Sequence, residues 1–324
     1  VAATEQPAEP AGTWPARLHV VTGKGGTGKT SVAAALALGL AAGGRRTLLV
    51  EVEGRQGIAQ LFGTDPLPYE ERHLTAAPGG GEVRALAVDA EEALLEYLDM
   101  FYKLGAAGRA LRKFGAIDFA TTIAPGLRDV LLTGKVKEAT TRSNGQRRTY
   151  DAVVLDAPPT GRIGRFLNVT AETARLAKVG PIKNQSEGVS ALLRSPMTAV
   201  HVVTLLEEMP VQETVDAIAE LTQLGFPVGR VIVNGARPPV PAGREVTAAE
   251  LKRGLAAAGL PTDGRTVTGL TREARDQQVR RELEDSLRAE LAELGRPLVE
   301  LPLLPGGVDR AGLETLAAAL VRAD

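Results

Sequence analysis

The chain predicts an α/β fold in three layers, a mostly parallel sheet of about seven strands between two sets of helices. Three observations carry this. Short runs rich in Val and Leu recur along the 324 residues and alternate with helical stretches. The runs are almost continuously apolar, as strands covered on both faces must be. The segments between them are long enough for helical crossovers, which join parallel strands with a right-handed turn.

Taken in order, the strand runs are Leu18 to Thr22, Thr47 to Val52, Val83 to Val88, Tyr150 to Leu155, Ala199 to Leu205, Val228 to Val233 and Leu298 to Leu301. Ser31 to Ala42 is an Ala/Leu-rich helix stopped by Gly43-Gly44. Pro210 to Leu224 has proline in its first turn and Gly225 at its end. Further helices are expected over Thr247 to Ala258, Thr271 to Leu294 and Asp309 to Arg322. Two stretches exceed a single crossover. In the first, Leu94, Tyr97, Leu98, Phe101 and Leu104 mark an amphipathic helix, and Leu111, Phe114, Leu127, Val130 and Leu131 suggest more. The expectation is one helical subdomain built from insertions at 90–149 and 162–195; the alternative is helices that simply cover the sheet. Arg142 to Arg148 reads as a solvated loop. The organisation is then a disordered tail over 1–15, rich in Ala, Glu and Pro, and one domain over 16–324.

Composition excludes several classes. A chain of this length needs no disulfide or metal staple, and the absence of Cys removes disulfides, thiolate zinc sites and iron–sulfur clusters. A net charge of −1 gives no electrostatic reason to expect nucleic acid as a partner. His19, His73 and His201 are scattered and read as structural. No apolar run reaches the roughly 18–20 residues of a membrane span, and the start lacks a signal-peptide pattern. A cytoplasmic protein without an integral membrane segment is expected.

The chemistry concentrates in Gly23-Lys24-Gly25-Gly26-Thr27-Gly28-Lys29-Thr30, which fits the phosphate-loop pattern between a strand and a helix. Glycines let the backbone turn its N–H groups onto phosphate oxygens, and the following helix, with Ser31 in its first turn, adds the positive end of its dipole. Lys29 would neutralise the β- and γ-phosphates and Thr30 would ligate Mg²⁺. The strand Tyr150 to Leu155 ends at Asp156, a second Mg²⁺ ligand; Asp151 reads as a capping or surface residue. Ala157-Pro158-Pro159-Thr160-Gly161 is a rigid turn whose Gly161 N–H could approach the γ-phosphate. The second loop lysine, Lys24, makes the segment resemble the deviant Walker A loop of the dimeric SIMIBI ATPases. There the extra lysine reaches the phosphates of the opposing subunit, as an arginine finger does; the plain alternative is a solvated lysine.

From these residues the chain resembles the ArsA family of P-loop ATPases, which includes arsenite-pump ATPases and the targeting factor for tail-anchored proteins. The family's second switch, Asp-x-Ala-Pro-Thr-Gly, is matched by Asp156-Ala157-Pro158-Pro159-Thr160-Gly161, followed by Arg162 where the family has His. Its Pro-Gly-x-x-acid motif is matched by Pro125-Gly126-Leu127-Arg128-Asp129, its adenine-side asparagine by Asn234 and its adenine loop by Pro302-Leu303. The resemblance runs from Leu18 through nearly the whole chain and is narrower still to actinobacterial ArsA-like subunits, which occur as unlike paralogues. It implies ATP or ADP with Mg²⁺ as cofactors. Nucleotide contacts would come from Gly23, Gly25 to Ser31, Gly161, Asn234, Pro302 and Leu303, and catalytic roles fall to Lys24, Lys29, Glu53 and Asp156. It implies a homodimer, or a heterodimer with an ArsA-like paralogue, that couples nucleotide state to a protein client.

Two departures stand out. The family's first switch reads Asp-Pro-Ala-His, with the aspartate polarising the attacking water; here the stretch is Glu53-Gly54-Arg55-Gln56-Gly57, with Glu51 on the same strand face. Glu53 places its carboxylate one methylene further out, and a misplacement of ~1 Å can cost a hundredfold in rate. The arsenite-binding thiolates of the pump and the zinc cysteines of the targeting factor are absent. The alternatives are a weakly catalytic subunit serving a paralogue and a MinD- or ParA-like positioning ATPase, whose membrane-bound forms end in a basic amphipathic helix.

Overall fold

The computed structural model describes residues 14–102, 125–145, 147–169, 181–237 and 247–322. Its strands are β1 (Leu18–Gly23), β2 (Arg46–Glu51), β3 (Arg72–Ala77), β4 (Gly81–Ala87), β5 (Ser143–Asn144), β6 (Arg147–Arg148), β7 (Ala152–Asp156), β8 (Thr198–Thr204), β9 (Val228–Ala236) and β10 (Leu298–Pro302). Eight form one sheet in the order β10-β9-β8-β1-β7-β2-β4-β3, and β5 pairs with β6 as a separate hairpin. The helices among the described residues are α1 (Lys29–Ala41), α2 (Gly57–Phe62), α3 (Ala90–Tyr102), α4 (Pro125–Thr141), α5 (Thr160–Leu167), α6 (Pro181–Leu193), α7 (Glu208–Gln223), α8 (Ala248–Ala257), α9 (Gly264–Glu293) and α10 (Arg310–Arg322).

All seven expected strands are present, and every pairing among them is parallel. The eighth, β3, is antiparallel to β4 at the sheet edge. It buries Thr75 and Ala77 and exposes Arg72, His73 and Ala76, so it has no continuous apolar run to read. The segment expected as a loop over Arg142–Arg148 folds into the β5–β6 hairpin, with Gly145 at φ 67 in its turn. Helix α9 begins at Gly264 rather than Thr271. Asp263 accepts a hydrogen bond from the Thr266 N–H, a side-chain cap that starts the helix before any apolar periodicity appears.

Side-chain alternation along the strands divides the core in two. Leu18, Val20, Leu48, Val50, Val153 and Leu155 face one layer, with buried residues of α3 to α7 and α9. Val21, Leu49, Val154, Val203 and Ile232 face the other, with α1 and α10. Helix α1 is buried from Val32 to Ala41, which explains why it is apolar all round: the sheet lies on one side and α10 on the other. In the long excursions Leu94, Tyr97, Val130 and Leu131 are buried in the same cluster as the sheet residues. The positions Leu104, Leu111 and Phe114, with residues 103–124 and 170–180, lie outside the described residues.

The tail expected over 1–15 reaches too far. Trp14 is 2% exposed, donates from its indole N–H to the Leu320 carbonyl at 3.3 Å and sits edge-on to His19 and His201. His19 and His201 meet ring to ring, Nδ1 to Nε2 at 3.1 Å, and the Arg230 N–H donates to His201 Nδ1. Burial holds both imidazoles below their ordinary value, His19 down to about 4.

These histidines therefore fold as neutral bases. Between pH 6.5 and about 4 the unfolded chain binds protons that the folded chain refuses, so their contribution is full above pH 6.5 and is lost as pH falls. Asp156, pushed up to about 6, acts in the opposite sense below that pH, while His201 acts in the same sense as His19. The unfolding temperature is expected to drop steadily from pH 7 to pH 5 in a thermal scan; a flat profile would contradict this account.

Candidate phosphate-binding site

The site forms at the carboxyl ends of the central strands. The chain leaves β1 through the phosphate loop into α1, then returns two places away as β2, while β8 lies on the other side of β1. Crevices at such reversal points receive ligands in open α/β sheets.

The loop glycines are of two kinds. Gly23 and Gly28 are required by the protein itself: a Cβ on Gly23 would lie 2.2 Å from the Val203 carbonyl oxygen. On Gly28, at φ 85, it would lie 2.3 Å from Asn234 Nδ2. At Gly25 and Gly26 a Cβ would meet nothing within 4 Å, so their bare backbone faces open space of the sort a phosphate fills. The Lys24 carbonyl closes the loop, accepting from the Thr27 N–H (3.4 Å), Thr27 Oγ1 (2.9 Å) and Lys29 Nζ (3.3 Å). Asn234 Nδ2 donates to the Thr27 carbonyl at 2.9 Å, bracing the loop from β9. No side chain caps the start of α1, which leaves its first N–H groups, that of Ser31 among them, directed at the hollow. Burial pushes the Lys29 ammonium below its ordinary value, while Asp156 and Glu53 pull it back up.

Parallel register sets Asp156 beside both Val21 and Glu51. Its Oδ2 accepts from Thr30 Oγ1 at 2.6 Å. Burial raises its carboxyl to about 6; Glu51 and Glu53 add to the rise, and the Thr30 bond and Lys29 oppose it. A buried carboxylate and a hydroxyl in contact fit Mg²⁺, which takes one or two protein oxygens plus phosphate and water.

The two acidic candidates of the first switch separate. Glu51 is buried, and its two oxygens accept from the Gly57 and Ile58 N–H groups at 3.3 and 3.2 Å, which caps α2. Glu53 stays near the surface between Arg162 (3.5 Å) and Arg55 (3.7 Å). Gln56, the one non-glycine residue with positive φ among the described residues (φ 55), is held there by its side chain. Its amide donates to the Leu67 carbonyl and accepts from the Leu67 N–H. Gly57 presses the segment against Thr30.

Gly161 lies in the first turn of α5, exposed, with no side chain capping that helix. Pro302 pairs with Ala236, the Leu303 N–H donates to the Ala236 carbonyl at 2.8 Å, and Leu303 is half-exposed beside Gly235. Asn234, Pro302 and Leu303 thus share the edge that carries the loop. Asp151 sits at the opposite end of β7, accepting from the Arg46 N–H. Sequence reasoning missed Glu213, whose carboxylate lies 2.7 Å from Lys24 Nζ. Nothing in a helix surface pattern distinguishes that glutamate from its neighbours.

The family model for anion-transporting ATPases matches residues 16–197. The chain is 53% identical over 323 residues to ATPase BagA of Mycobacterium tuberculosis, an alignment covering 95% of each chain. It is 26% identical over 249 residues to ATPase GET3 of Kluyveromyces lactis, covering 66% of this chain and 70% of that one. The arsenical pump-driving ATPase of Acidiphilium multivorum is 26% identical over 254 residues, covering 71% of this chain and 41% of that protein.

Proposed function

The chain belongs to the ArsA family of anion-transporting ATPases, and on that premise we propose an ATP-driven dimeric switch whose nucleotide state governs its hold on a protein client or partner. The observation that carries this is the pair of lysines in one loop. Lys29 is half-buried beside Asp156 and serves the chain's own phosphates. Lys24 projects from the same loop at the surface, 29% exposed, where a second subunit can bring its phosphates to it.

In this reading the N–H groups of Gly25 to Ser31 hold the polyphosphate and Lys29 neutralises it. Thr30 and Asp156, in contact with each other, are the residues that would hold Mg²⁺, and the ion would supply positive charge to offset that developing on the phosphates. Glu53 accepts a hydrogen bond from the attacking water, and the Gly161 N–H meets the γ-phosphate. Asn234, Pro302 and Leu303 border the adenine.

Light scattering on the full chain, with and without ATP, tests the switch. Mass is expected to double with ATP, alone or with a co-expressed paralogue. Lys24→Ala is expected to abolish the doubling without lowering the unfolding temperature. A mass indifferent to ATP in both settings would overturn the proposal.

A second reading, a weakly catalytic subunit of a heterodimer, draws on the hold that Arg162 and Arg55 have on Glu53. ATP turnover at an ordinary rate by the chain alone would count against it. The membrane-bound form of the positioning-ATPase alternative draws no support from α10. The apolar face of α10, Leu313, Leu316 and Leu320, is buried in one cluster with α1. Among the described residues no helix is long and apolar enough to cross a membrane.

A further inference from the structure

Lys24 has a partner that the switch reading does not call for. Glu213 on α7 uses both carboxylate oxygens: Oε1 lies 2.7 Å from Lys24 Nζ, and Oε2 accepts from Thr160 Oγ1 at 3.1 Å. Thr160 opens α5, directly after the turn that follows Asp156. One carboxylate therefore ties the phosphate loop to the segment after β7.

The tie is built for reversal. The Lys24 and Glu213 side chains are 29% and 35% exposed, and pairs in such water-accessible places are individually weak. The Lys24 main chain is fixed, since its carbonyl takes bonds from Thr27 and Lys29, so its side chain can swing while the loop stays put. The bond from Lys24 holds the Glu213 carboxyl below its ordinary range, with Thr160 helping, so Glu213 is an anion at neutral pH. Thr160 is only 5% exposed, and its hydroxyl changes partner if that carboxylate moves. Helices α5 and α7 are closely seated, with the Glu220 carboxylate where a Cβ on Gly164 would have to go.

We propose that Glu213 is a positioning residue that competes with nucleotide polyphosphate for the Lys24 ammonium, so that engaging Lys24 on phosphate also releases Thr160 at the start of α5. This rests on the reading of Lys24 as a phosphate ligand. One ammonium cannot satisfy both claimants at full strength, and the phosphates, carrying more charge, win when present.

The experiment is a titration of the full chain with Mg²⁺ and a slowly hydrolysed ATP analogue, read by calorimetry. The proteins are wild type, Glu213→Gln, Lys24→Ala and the double variant. Glutamine keeps the shape and the Thr160 acceptor but gives up the charge. Glu213→Gln is expected to tighten binding about two- to fivefold, the strength of an exposed ion pair, and to do nothing in the Lys24→Ala background. An equal effect in both backgrounds, or no tightening in wild type, would overturn the proposal for Glu213. If Lys24→Ala alone leaves both the affinity and the ATP-dependent mass unchanged, the reading of Lys24 itself falls, and this inference with it.

Discussion

The Lys29→Ala chain is expected to hydrolyse ATP about 10²–10³-fold more slowly than wild type, the cost of removing one preorganised electrostatic donor from a reacting centre. Three features of the site set this size. The ammonium is desolvated, which makes its interaction with phosphate stronger than it would be in water. It also stands against two carboxylates, Asp156 and Glu53; without it, the incoming γ-phosphate faces their negative charge unscreened. Its hydrogen bond to the Lys24 carbonyl helps to shape the loop. Lys29→Arg is expected to recover little, because a planar fork does not replace a point charge in a closed loop. Steady-state turnover with a denaturant titration as control checks this. Normal turnover in a folded Lys29→Ala protein would remove the loop from the chemistry.

Gly81→Ala is expected to cost at least about 3 kcal/mol of stability, at the upper end for an overpacked site. Gly81 starts β4 where α1 ends and β2 begins. A Cβ there would sit 1.8 Å from the Ala41 carbonyl oxygen and 2.7 Å from that of Arg45. Both are backbone atoms. Arg45 O accepts from the Glu82 N–H, and Ala41 O accepts from the Arg45 N–H, so neither can give way without breaking a bond. Gly80→Ala, one position earlier, meets open space and suffers only its φ of 85, a cost of about 1 kcal/mol. Urea melts of the two variants separate the collision from the backbone preference; equal midpoints would show that α1 and β4 part easily.

The parallel sheet was legible because strands buried on both faces leave continuous apolar runs, as Leu48 to Val50 and Val153 to Leu155 do. β3 was not, since a strand covered on one face only is half polar. Helix α2 is too short for periodicity, and its cap comes from Glu51, back in β2. That bond distinguishes the two acids that spacing left open: Glu51 is occupied in holding a helix, while Glu53 meets the exposed Arg162 and Arg55 side chains. The loop over Gly23 to Thr30 and Asp156 could be picked out as candidates in the sequence because they are local patterns. Glu213 and the Asn234 brace on Thr27 could not, because each depends on two elements far apart in the chain meeting at one sheet edge.

The chain holds a single tryptophan, and it is Trp14, seated against His201 at 4.9 Å with the Arg230 guanidinium 4.8 Å from its ring. It is therefore a built-in optical gauge. Its emission reports one place, the foot of β1, and one event, the parting of β1, β8, β9 and α10 around it. The candidate site lies at the other end of β1, so light from this indole registers the integrity of the scaffold separately from what happens at the Gly23 to Thr30 loop.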